Sequence, residues 1–527
     1  MAGSSQDVDA LNLAELRQLI AALMEENARL RAENAALRED IARLKGLPAK
    51  PKLKPSGMAK QTERAEVKRR RKQKHRGAKK LREKVTETRV VEAAVPAGAR
   101  FKGYRDFYVQ ELSIARRVIR VRRARWQLPD GRLVVAPLPA GLRGHFGPEL
   151  RRFVLAQYHQ GQTTVERLLA LLRDLGIEIS KRQLVRLLTA GIEGFAAEAD
   201  AVLAAGLATA PWITVDDTGA RHAGANQTCT QIGNDRFAWF ATRPSKSRLN
   251  FLELLQAGPP AWRINEAALD YMRERRLSPG RIAALRRGGE IAFDDRQAWC
   301  AYAAGLGIRA TGGPLDPLRL ATEGAAWGAL AARGLLQDTV IVSDAAGQFD
   351  VATHARCWVH AERLIHTLDT FNDRKRAAKE RIRRRLWRLY ADLRAWQRNP
   401  RPERARALAD RFDALFTSRT GFVTLDRLLA RLHADRDDLL RVLDHPGIPL
   451  HTNGSENDIR ACVTRRRLSG GTHSDNGRQA RDAMLSLMKT CRKLGISFWQ
   501  YLGHRLGVDA AQPVPPLADI VRQPAPA

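Results

Sequence analysis

The most regular hydrophobic pattern of this chain is a heptad repeat near its N-terminus. Leucine recurs at every seventh position, at Leu16, Leu23, Leu30, Leu37 and Leu44. The positions three residues earlier are mostly apolar, and Asn27 and Asn34 are the polar exceptions. This spacing predicts a coiled coil over residues 8–47, in which seam asparagines would fix the register. We expect a parallel homodimer or a higher homo-oligomer; the alternative is an amphipathic helix packed on its own domain.

Alternating apolar and polar positions continue after residue 90. They predict strands at Arg89–Ala94, Ile114–Trp126 and Arg132–Ala136, with a turn at Pro129-Asp130-Gly131 between the last two. We therefore expect a small β-rich domain over residues 91–145.

The next segment, residues 146–205, has the helical spacing of apolar residues. A helix is predicted at Thr163–Leu175, followed by Gly176 and a second helix, Ser180–Leu188, with a serine cap. This order fits a helix-turn-helix, a DNA-binding motif, although ordinary helical hairpins share it. The candidate DNA-binding residues on the second helix are Lys181, Arg182, Gln183 and Arg186.

From residue 206 to 504 the pattern predicts one α/β domain. Its predicted elements, in chain order, are strands Trp212–Asp216, Gln227–Gly233 and Arg236–Thr242, helix Lys246–Leu255, strands Thr339–Ser343 and His354–Val359, and a helix from Ser455. Mostly helical insertions are expected at about 256–337, of unknown role, and 372–443. We expect residues 505–527 to be a flexible tail.

Charge changes this picture by indicating the partner. The formal net charge is +33 and the isoelectric point is about 10.9, which favours a polyanion such as double-stranded DNA. Residues 48–90 hold 17 Lys and Arg residues against 4 Glu residues, a net charge of +13. We interpret them as a basic arm and linker that contacts phosphates without base selectivity. The candidate phosphate-binding residues in it are Lys68, Arg69, Arg70, Arg71 and Lys72.

The cysteine pattern bears on the compartment. The chain has five scattered cysteines and no CxxC pair, so neither a disulfide framework nor a four-cysteine zinc ribbon is expected. It has no signal peptide and no uncharged apolar run of 18 residues. We expect a cytoplasmic protein of a reducing cytosol, with no membrane contact.

Three carboxylates occupy positions where chemistry can be expected. The order of strands and helices after residue 206 is that of the ribonuclease H-like fold, in which acidic residues at the first strand, the fourth strand and a late helix converge. Here these are Asp216, Asp344 and Glu456. Carboxylate oxygens suit Mg²⁺, with Mn²⁺ as an alternative, and two such ions can catalyse phosphoryl transfer. The predicted fold class is thus multidomain, with a ribonuclease H-like α/β core behind a coiled coil and a small DNA-binding region.

Around these carboxylates the chain resembles the DDE transposases, and more closely the IS66 group of bacterial insertion-sequence transposases. The resembling motifs are Val215-Asp216-Asp217-Thr218, Cys357-Trp358-Val359-His360, Asn453-Gly454-Ser455-Glu456 with Arg460, and Gly470-Gly471 before the last long helix. The resemblance covers roughly Gly161 to Leu502. It implies a transposase that uses divalent metal held by Asp216, Asp344 and Glu456 to cleave element ends and join them to target DNA. The implied partners are terminal inverted repeats and target DNA.

The chain also departs from the family pattern. The family usually has Asp-Glu-Thr where this chain has Asp216-Asp217-Thr218, and the two aspartates should face opposite sides of a strand. We choose Asp216 as the ligand by resemblance. The N-terminal cysteine zinc motif of the family is absent, and the 256–337 stretch is longer than expected.

Each candidate residue has a simpler interpretation. Asp216 or Asp344 could simply end a strand in a turn, and Glu456 could complete a capping box with Asn453. Cys357, His360 and His354 have spacing that a metal could use, but buried packing is the favoured interpretation. Arg460 could hold a DNA phosphate or pair with Glu456. Three following arginines could bind DNA backbone or simply be solvated: Arg465, Arg466 and Arg467.

Two other functions compete with a transposase. One is a structure-specific nuclease of the same fold, which would hydrolyse DNA without joining strands. The other is a non-catalytic DNA-binding protein descended from a transposase, although all three carboxylates are present. A basic-zipper regulator fits poorly, because in that class the basic region precedes the zipper, and here it follows.

Overall fold

The computed structural model describes residues 18, 20–21, 24–29, 33, 85–139, 142, 144–313, 315–509 and 511–524. The chain divides into two compact units, Met1–Glu111 and Leu112–Ala527. In the first unit residues 24–29 are helical, and residues 85–111 contain neither helix nor strand. The five leucines of the predicted coiled-coil seam and the basic arm as far as Lys84 lie outside the described residues.

The β-rich region is much smaller than predicted. A hairpin of two short antiparallel strands, β1 (Arg125–Gln127) and β2 (Leu133–Val135), closes over a turn at Asp130-Gly131. The predicted strand at Arg89–Ala94 is absent, and most of that at Ile114–Trp126 is not a strand.

The wrong strand predictions have a common physical cause. Alternation indicates a strand only if a neighbour accepts its backbone hydrogen bonds, and here no strand of the described chain pairs with residues 85–123. Apolar side chains of this stretch, such as Val91, Phe107 and Val118, are exposed.

The helical segment that follows agrees with its prediction. Its helices are α1 (Pro148–Leu155), continued by a π-helical turn at Ala156–Gln160, then α2 (Val165–Asp174), α3 (Lys181–Thr189) and α4 (Glu193–Thr209). The side chain of Thr164 caps α2, and Ser180 and Gln183 form a reciprocal capping box at the start of α3. The predicted helix–turn–helix order is therefore confirmed as secondary structure.

The central sheet begins with three antiparallel strands, as predicted. They are β3 (Trp212–His222), β4 (Ala225–Gly233) and β5 (Ala238–Arg243), and helix α5 (Arg248–Leu255) follows. Alternate residues of β3, such as Ile213 and Val215, are buried in the main core.

The stretch predicted as a first insertion is mixed and mostly helical. It contains β6 (Trp262–Ile264), α6 (Glu266–Glu274), α7 (Pro279–Arg287), β7 (Ile291–Phe293), α8 (Arg296–Gly305) and α9 (Pro317–Ala332). Strands β6 and β7 pair with each other and not with the central sheet. Gly328 of α9 allows close packing, because a Cβ atom there would lie 2.3 Å from the carbonyl oxygen of Arg263.

Two parallel strands complete the central sheet: β8 (Val340–Ser343) and β9 (His354–Arg356). A 3₁₀ turn at Gly347–Phe349 lies between them. The strand order is β5-β4-β3-β8-β9, so β3 lies in the middle of a mixed five-stranded sheet. The predicted α/β class is confirmed. Strand β9 is shorter than predicted, because a helix starts at Trp358.

A second hydrophobic core belongs to the helices after β9. These are α10 (Trp358–His366), α11 (Asp373–Arg398), α12 (Pro402–Phe416), α13 (Val423–Ala434) and α14 (Arg436–Leu440), with a 3₁₀ turn at Arg441–Leu443. The helical prediction for 372–443 is confirmed. This core includes Val340 and Val342 of β8, so it packs on the central sheet.

Four helices end the described chain: α15 (Asn453–Ser469), α16 (Asp475–Lys493), α17 (Phe498–Arg505) and α18 (Leu517–Arg522). The prediction of a flexible tail is wrong for residues 511–524. Leu517 and Val521 of α18 are buried in the main core, and α18 packs on α4. No described helix is long and apolar enough to cross a membrane.

The helices of the second core are tied to the end of β8 by buried polar contacts. His354 contacts Ser343 Oγ through Nε2 at 2.7 Å and Asp438 Oδ2 of α14 through Nδ1 at 3.2 Å. Arg356 pairs with Asp435 at 2.5 Å and with Asp438 at 3.3 Å. These contacts fix β9 between the end of β8 and helix α14.

Asp438 and its neighbour on α14, Asp437, offer a matched test of this connection. Asp438→Ala should destabilise the fold by about 1–3 kcal/mol, because His354 is buried and would lose a charged partner. The more exposed Asp437→Ala should change stability by no more than about 0.5 kcal/mol. Urea unfolding followed by tryptophan fluorescence measures both, since Trp358 donates to the carbonyl oxygen of Leu439 nearby. Equal effects would contradict the role given to Asp438.

Candidate active site

Two of the three candidate carboxylates meet at one edge of the sheet. Strands β3 and β8 are parallel, with Thr214 paired to Val342. Continuing this register by two residues puts Asp216 level with Asp344, which directly follows β8. Parallel pairing therefore brings together two residues that are far apart in the chain.

Helix α15 adds the third carboxylate. Its Ser455 donates a hydrogen bond of 2.5 Å to the hydroxyl of Thr214, and both residues are buried. Thr214 and Asp216 are two positions apart on β3, so they lie on the same face of the sheet. Glu456 follows Ser455 in the first turn of α15 and is brought to the face that carries Asp216.

The electrostatics of Asp216 reflect this grouping. Burial raises the pKa of Asp216 to about 6, and repulsion from Asp344, Glu456 and Asp217 adds to the rise. A hydrogen bond from the backbone N–H of Asp217 acts in the opposite direction. The negative charges are close enough to disfavour one another, which is the condition that a bound cation would relieve.

Asp217, the alternative ligand, has different partners. Its carboxylate pairs with Lys246 Nζ at 2.9 Å and accepts a hydrogen bond of 2.7 Å from Gln348 Nε2. Both partners come from the segments just before α5 and just after β8, and sequence reasoning did not select either. Because Lys246 and Gln348 already satisfy Asp217, the geometry favours Asp216 as the free carboxylate.

Glu456 lies among cationic side chains. His360 Nε2 is 3.5 Å from its Oε1, and Arg363 is 3.4 Å away. Arg460 is 3.9 Å from Oε2, so it takes the carboxylate-pairing role that was one of its two interpretations. Arg363 was missed; the only available signal was its position one turn after His360.

The capping-box interpretation of Glu456 does not fit. Helix α15 starts at Asn453 with Thr452 as its cap, and no side chain makes the capping hydrogen bond. The Glu456 carboxylate instead contacts His360, Arg363 and Arg460, and is available for a role other than capping.

The metal-binding question rests on the donor set. Among the described residues, no three His, Cys, Asp or Glu side chains already form a metal-holding group. Of the residues considered for zinc, Cys357 and His360 share a side-chain hydrogen bond, and each has a further partner: the N–H of Thr452 donates to Cys357, and His360 contacts Glu456. His354 contacts Ser343 and Asp438 instead. The carboxylates of Asp216, Asp344 and Glu456 supply the oxygen ligands that Mg²⁺ prefers, so their chemistry fits this ion.

The candidate DNA-binding residues of α3 are all exposed. Lys181 pairs with Glu166 of α2 at 2.8 Å, and Gln183 accepts the Ser180 N–H at 2.9 Å in the capping box. Arg186 and Gln183 line a cavity of about 720 Å³ beside α3, bordered by α1, α4 and α17. This cavity lies away from the three carboxylates.

The candidate DNA-binding arginines of α15 differ in how far their guanidinium groups are already engaged within the protein. Arg465 lies over the ring of Tyr158 at 3.6 Å and donates to the carbonyl oxygens of Tyr158 and Thr163, so its guanidinium has intramolecular partners. Arg466 donates to the carbonyl oxygen of Gly219. Arg467 is exposed. The predicted arm residues from Lys68 to Lys72 lie outside the described residues.

Comparison with known proteins identifies the family. The family model described as "Transposase IS66 family" matches residues 143–256 and 327–480, which are 114 and 154 residues and about half of the chain. The chain belongs to the IS66 transposase family. The matched ranges contain Asp216, Asp344 and Glu456, and they leave out residues 257–326, which form most of the first insertion.

The chain is also similar in sequence to an individual protein. The chain is 50% identical over 320 residues to "Uncharacterized protein y4jO" of Sinorhizobium fredii (strain NBRC 101917 / NGR234). The alignment covers 61% of this chain and 99% of that protein. The name of that relative assigns it no function.

The two adjacent aspartates generate a direct prediction. Asp216→Asn should lower transposition by about 100-fold or more, because it removes a charged oxygen ligand. Asp217→Asn should keep activity within about tenfold, since an amide still accepts from Gln348. Transposition of a marked element in cells, normalised to protein level, measures both. An active Asp216→Asn variant beside an inactive Asp217→Asn variant would move the site by one residue.

Proposed function

We propose that this IS66 transposase is a DDE-type enzyme with a ribonuclease H-like core, which cleaves element ends and transfers the strands to target DNA. Asp216, Asp344 and Glu456 would hold two divalent ions, Mg²⁺ or Mn²⁺. The observation that carries the proposal is the convergence of these carboxylates: the β3–β8 register puts Asp216 level with Asp344, and the Ser455–Thr214 hydrogen bond holds the start of α15, with Glu456, against β3.

The sheet topology supports the ribonuclease H-like core. Three antiparallel strands, a helix and two parallel strands give the spatial order β5-β4-β3-β8-β9. In this order the first strand, β3, is central, and the fourth, β8, is beside it. Asp216, inside β3, and Asp344, directly after β8, therefore lie on neighbouring strands, and α15 supplies a third acidic residue.

The residues of the site would divide the work. Bound divalent ions supply activation of water or a 3′-hydroxyl and stabilise the leaving oxygen. Strand β3 would hold Asp216 and the end of β8 would hold Asp344, and Ser455 would fix α15 so that Glu456 stays on the same face. Arg363 and Arg460 offer positive charge for a DNA phosphate once Glu456 engages a metal.

DNA recognition would use two different kinds of contact. The exposed residues Lys181, Arg182 and Arg186 of α3 would read base edges of the terminal inverted repeats, with Gln183 as a further candidate. The basic arm at residues 48–90 would contact phosphates and add affinity without sequence preference. Exposed Arg467 of α15 would add another backbone contact.

Assembly would use the predicted coiled coil at residues 8–47. A parallel dimer brings two copies of the DNA-binding and catalytic regions together, as pairing of two element ends requires. The five leucines from Leu16 to Leu44 support this proposal through their heptad spacing.

Metal binding gives a test independent of strand transfer. In Mn²⁺ titrations followed by calorimetry, Asp344→Asn and Glu456→Gln should each weaken affinity about tenfold or more, because each removes a charged ligand. Both variants should retain DNA binding and lose strand transfer. The surface variant Asp519→Asn serves as the control. Full strand transfer by either ligand variant would exclude that residue from the site.

The α3 assignment has its own test. A variant with Lys181→Ala, Arg182→Ala and Arg186→Ala should lose discrimination between element ends and random DNA, since each good base contact is worth about 1–3 kcal/mol. Competition titrations with the two DNAs measure the ratio of affinities. Arg286→Ala combined with Arg287→Ala on α7 is the charge control. Equal loss of affinity for both DNAs in the α3 variant would assign α3 to the backbone instead.

A further inference from the structure

Helix α11 presents an exposed surface made of two residue types. From residue 374 to its end at 398, every exposed residue of the helix is arginine or alanine. The exposed arginines are Arg374, Arg376, Arg381, Arg384, Arg385, Arg388 and Arg398. The exposed alanines are Ala377, Ala391 and Ala395.

The arginines are aligned along the helix. Arg374, Arg381 and Arg388 are seven residues apart, which is close to two turns, so they lie on one side of α11. A rise of 1.5 Å per residue separates neighbours in this row by roughly 10 Å. Arg384 lies between the last two, so cationic groups recur about every 5 Å from Arg381 to Arg388.

The acidic residues of α11 do not neutralise this row. Asp373 pairs with Arg376 at 2.9 Å, Glu380 with Arg383 at 2.9 Å, and Asp392 with Arg411 at 2.7 Å. Within the described part of the chain, none of these carboxylates pairs with the four arginines of the row: Arg374, Arg381, Arg384 and Arg388.

The helix is held by its opposite side. Its buried residues include Ile382, Leu386, Leu389 and Leu393, all in the second core. Repulsion between like charges three and four positions apart weakens a helix, so the row is not there for the stability of α11. A polyanion placed along the row would remove that repulsion.

We propose that the arginine face of α11, formed by Arg374, Arg381, Arg384 and Arg388, binds the phosphate backbone of duplex DNA. Guanidinium groups bind phosphate oxygens through two parallel hydrogen bonds, and the small alanines let the backbone approach the helix. Contacts to phosphates carry no sequence information, so this face would add affinity without sequence preference. The inference rests on the proposed function, in which DNA is the substrate, and adds a contact separate from α3 and the arm.

The position of α11 suits DNA near the candidate active site. Lys379 Nζ donates to the carbonyl oxygens of His366 and Leu368 at 3.2 and 3.0 Å, and Arg383 pairs with buried Glu362 at 2.5 Å. These contacts fix α11 beside α10. Helix α10 carries His360 and Arg363, which contact Glu456.

The salt dependence of DNA binding tests the proposal. The full chain and a variant with Arg381→Ala, Arg384→Ala and Arg388→Ala are titrated with a random-sequence duplex by fluorescence anisotropy. EDTA is present, and the KCl concentration is varied. Each lost phosphate contact should reduce the slope of log K against log salt by about 0.9, so the variant should lose about 2 to 3 units. An unchanged slope would overturn the proposal.

A matched control removes the same charge elsewhere in the same helical segment. Arg404→Ala, Arg406→Ala and Arg427→Ala replace three exposed arginines of α12 and α13. This control should keep the wild-type slope to within about one unit. If the control and the α11 variant lose equal amounts of slope, net charge and not the arginine face governs binding, and the proposal fails.

Two further variants keep the result interpretable. A variant with Arg381→Lys, Arg384→Lys and Arg388→Lys retains the charge, so the slope of log K against log salt should persist while the affinity for DNA falls. This variant still tests the proposal if the alanine variant folds poorly. Asp216→Asn should keep the full slope, because EDTA removes any need for catalysis. An active Asp216→Asn variant would thus overturn the proposed catalytic site without affecting the test of α11.

The same variants separate DNA from other anionic partners. Sedimentation with vesicles of phosphatidylglycerol and phosphatidylcholine, and binding to poly-glutamate, should not distinguish the α11 variant from its α12–α13 control. If the α11 variant lost vesicle or poly-glutamate binding and kept the DNA slope, the face would serve a membrane or an acidic protein, and the proposal would be wrong.

Discussion

The parallel pairing of β3 with β8 is the contact on which the candidate site depends. Its register brings the residue after β8 level with Asp216, although a whole helical insertion separates the two strands in the chain. Parallel strands require a crossover connection, and here α5 and the insertion provide it. Because β3 also pairs with β4 and receives α15 on one face, a change at this strand would move all three carboxylates at once.

The site also shows how like charges are kept together in a folded chain. Burial and repulsion both oppose ionisation of Asp216. Asp217 is paired with Lys246, and Arg363 and Arg460 lie near Glu456. Such an arrangement stores unfavourable electrostatic energy that a divalent cation could release. The surrounding core, including the buried Ser455–Thr214 hydrogen bond, keeps the carboxylates from moving apart.

Positive charge in this transposase is unevenly distributed along the chain. The basic arm, helix α3 and the exposed face of α11 belong to three separate segments of the chain. A DNA duplex held by several sequence-independent contacts and one reading helix gains affinity from the former and specificity from the latter. By contrast, Arg465 of α15 is used within the protein, stacked on Tyr158.

The sequence by itself determined the features that depend on neighbouring residues. The helical spacing and the serine cap at Ser180 predicted α2 and α3 to within a few residues, because capping and helical hydrogen bonds are local. The pattern after residue 372 predicted a helical segment, without the bounds of its separate helices. The three antiparallel strands β3 to β5 were equally clear from their alternation and turns. Family resemblance, not periodicity, selected the three carboxylates.

Tertiary structure alone decided what depends on distant partners. Alternation at Arg89–Ala94 could not show that no strand would pair there, and composition could not show that α18 packs on α4. The sequence also could not show that the Thr214 face of β3 meets α15, or that Asp217 pairs with Lys246, and both contacts bear on the proposal of Asp216 as a ligand. These contacts join segments far apart in the chain, and no local pattern encodes them, because they form only when the whole sheet and its helices pack together.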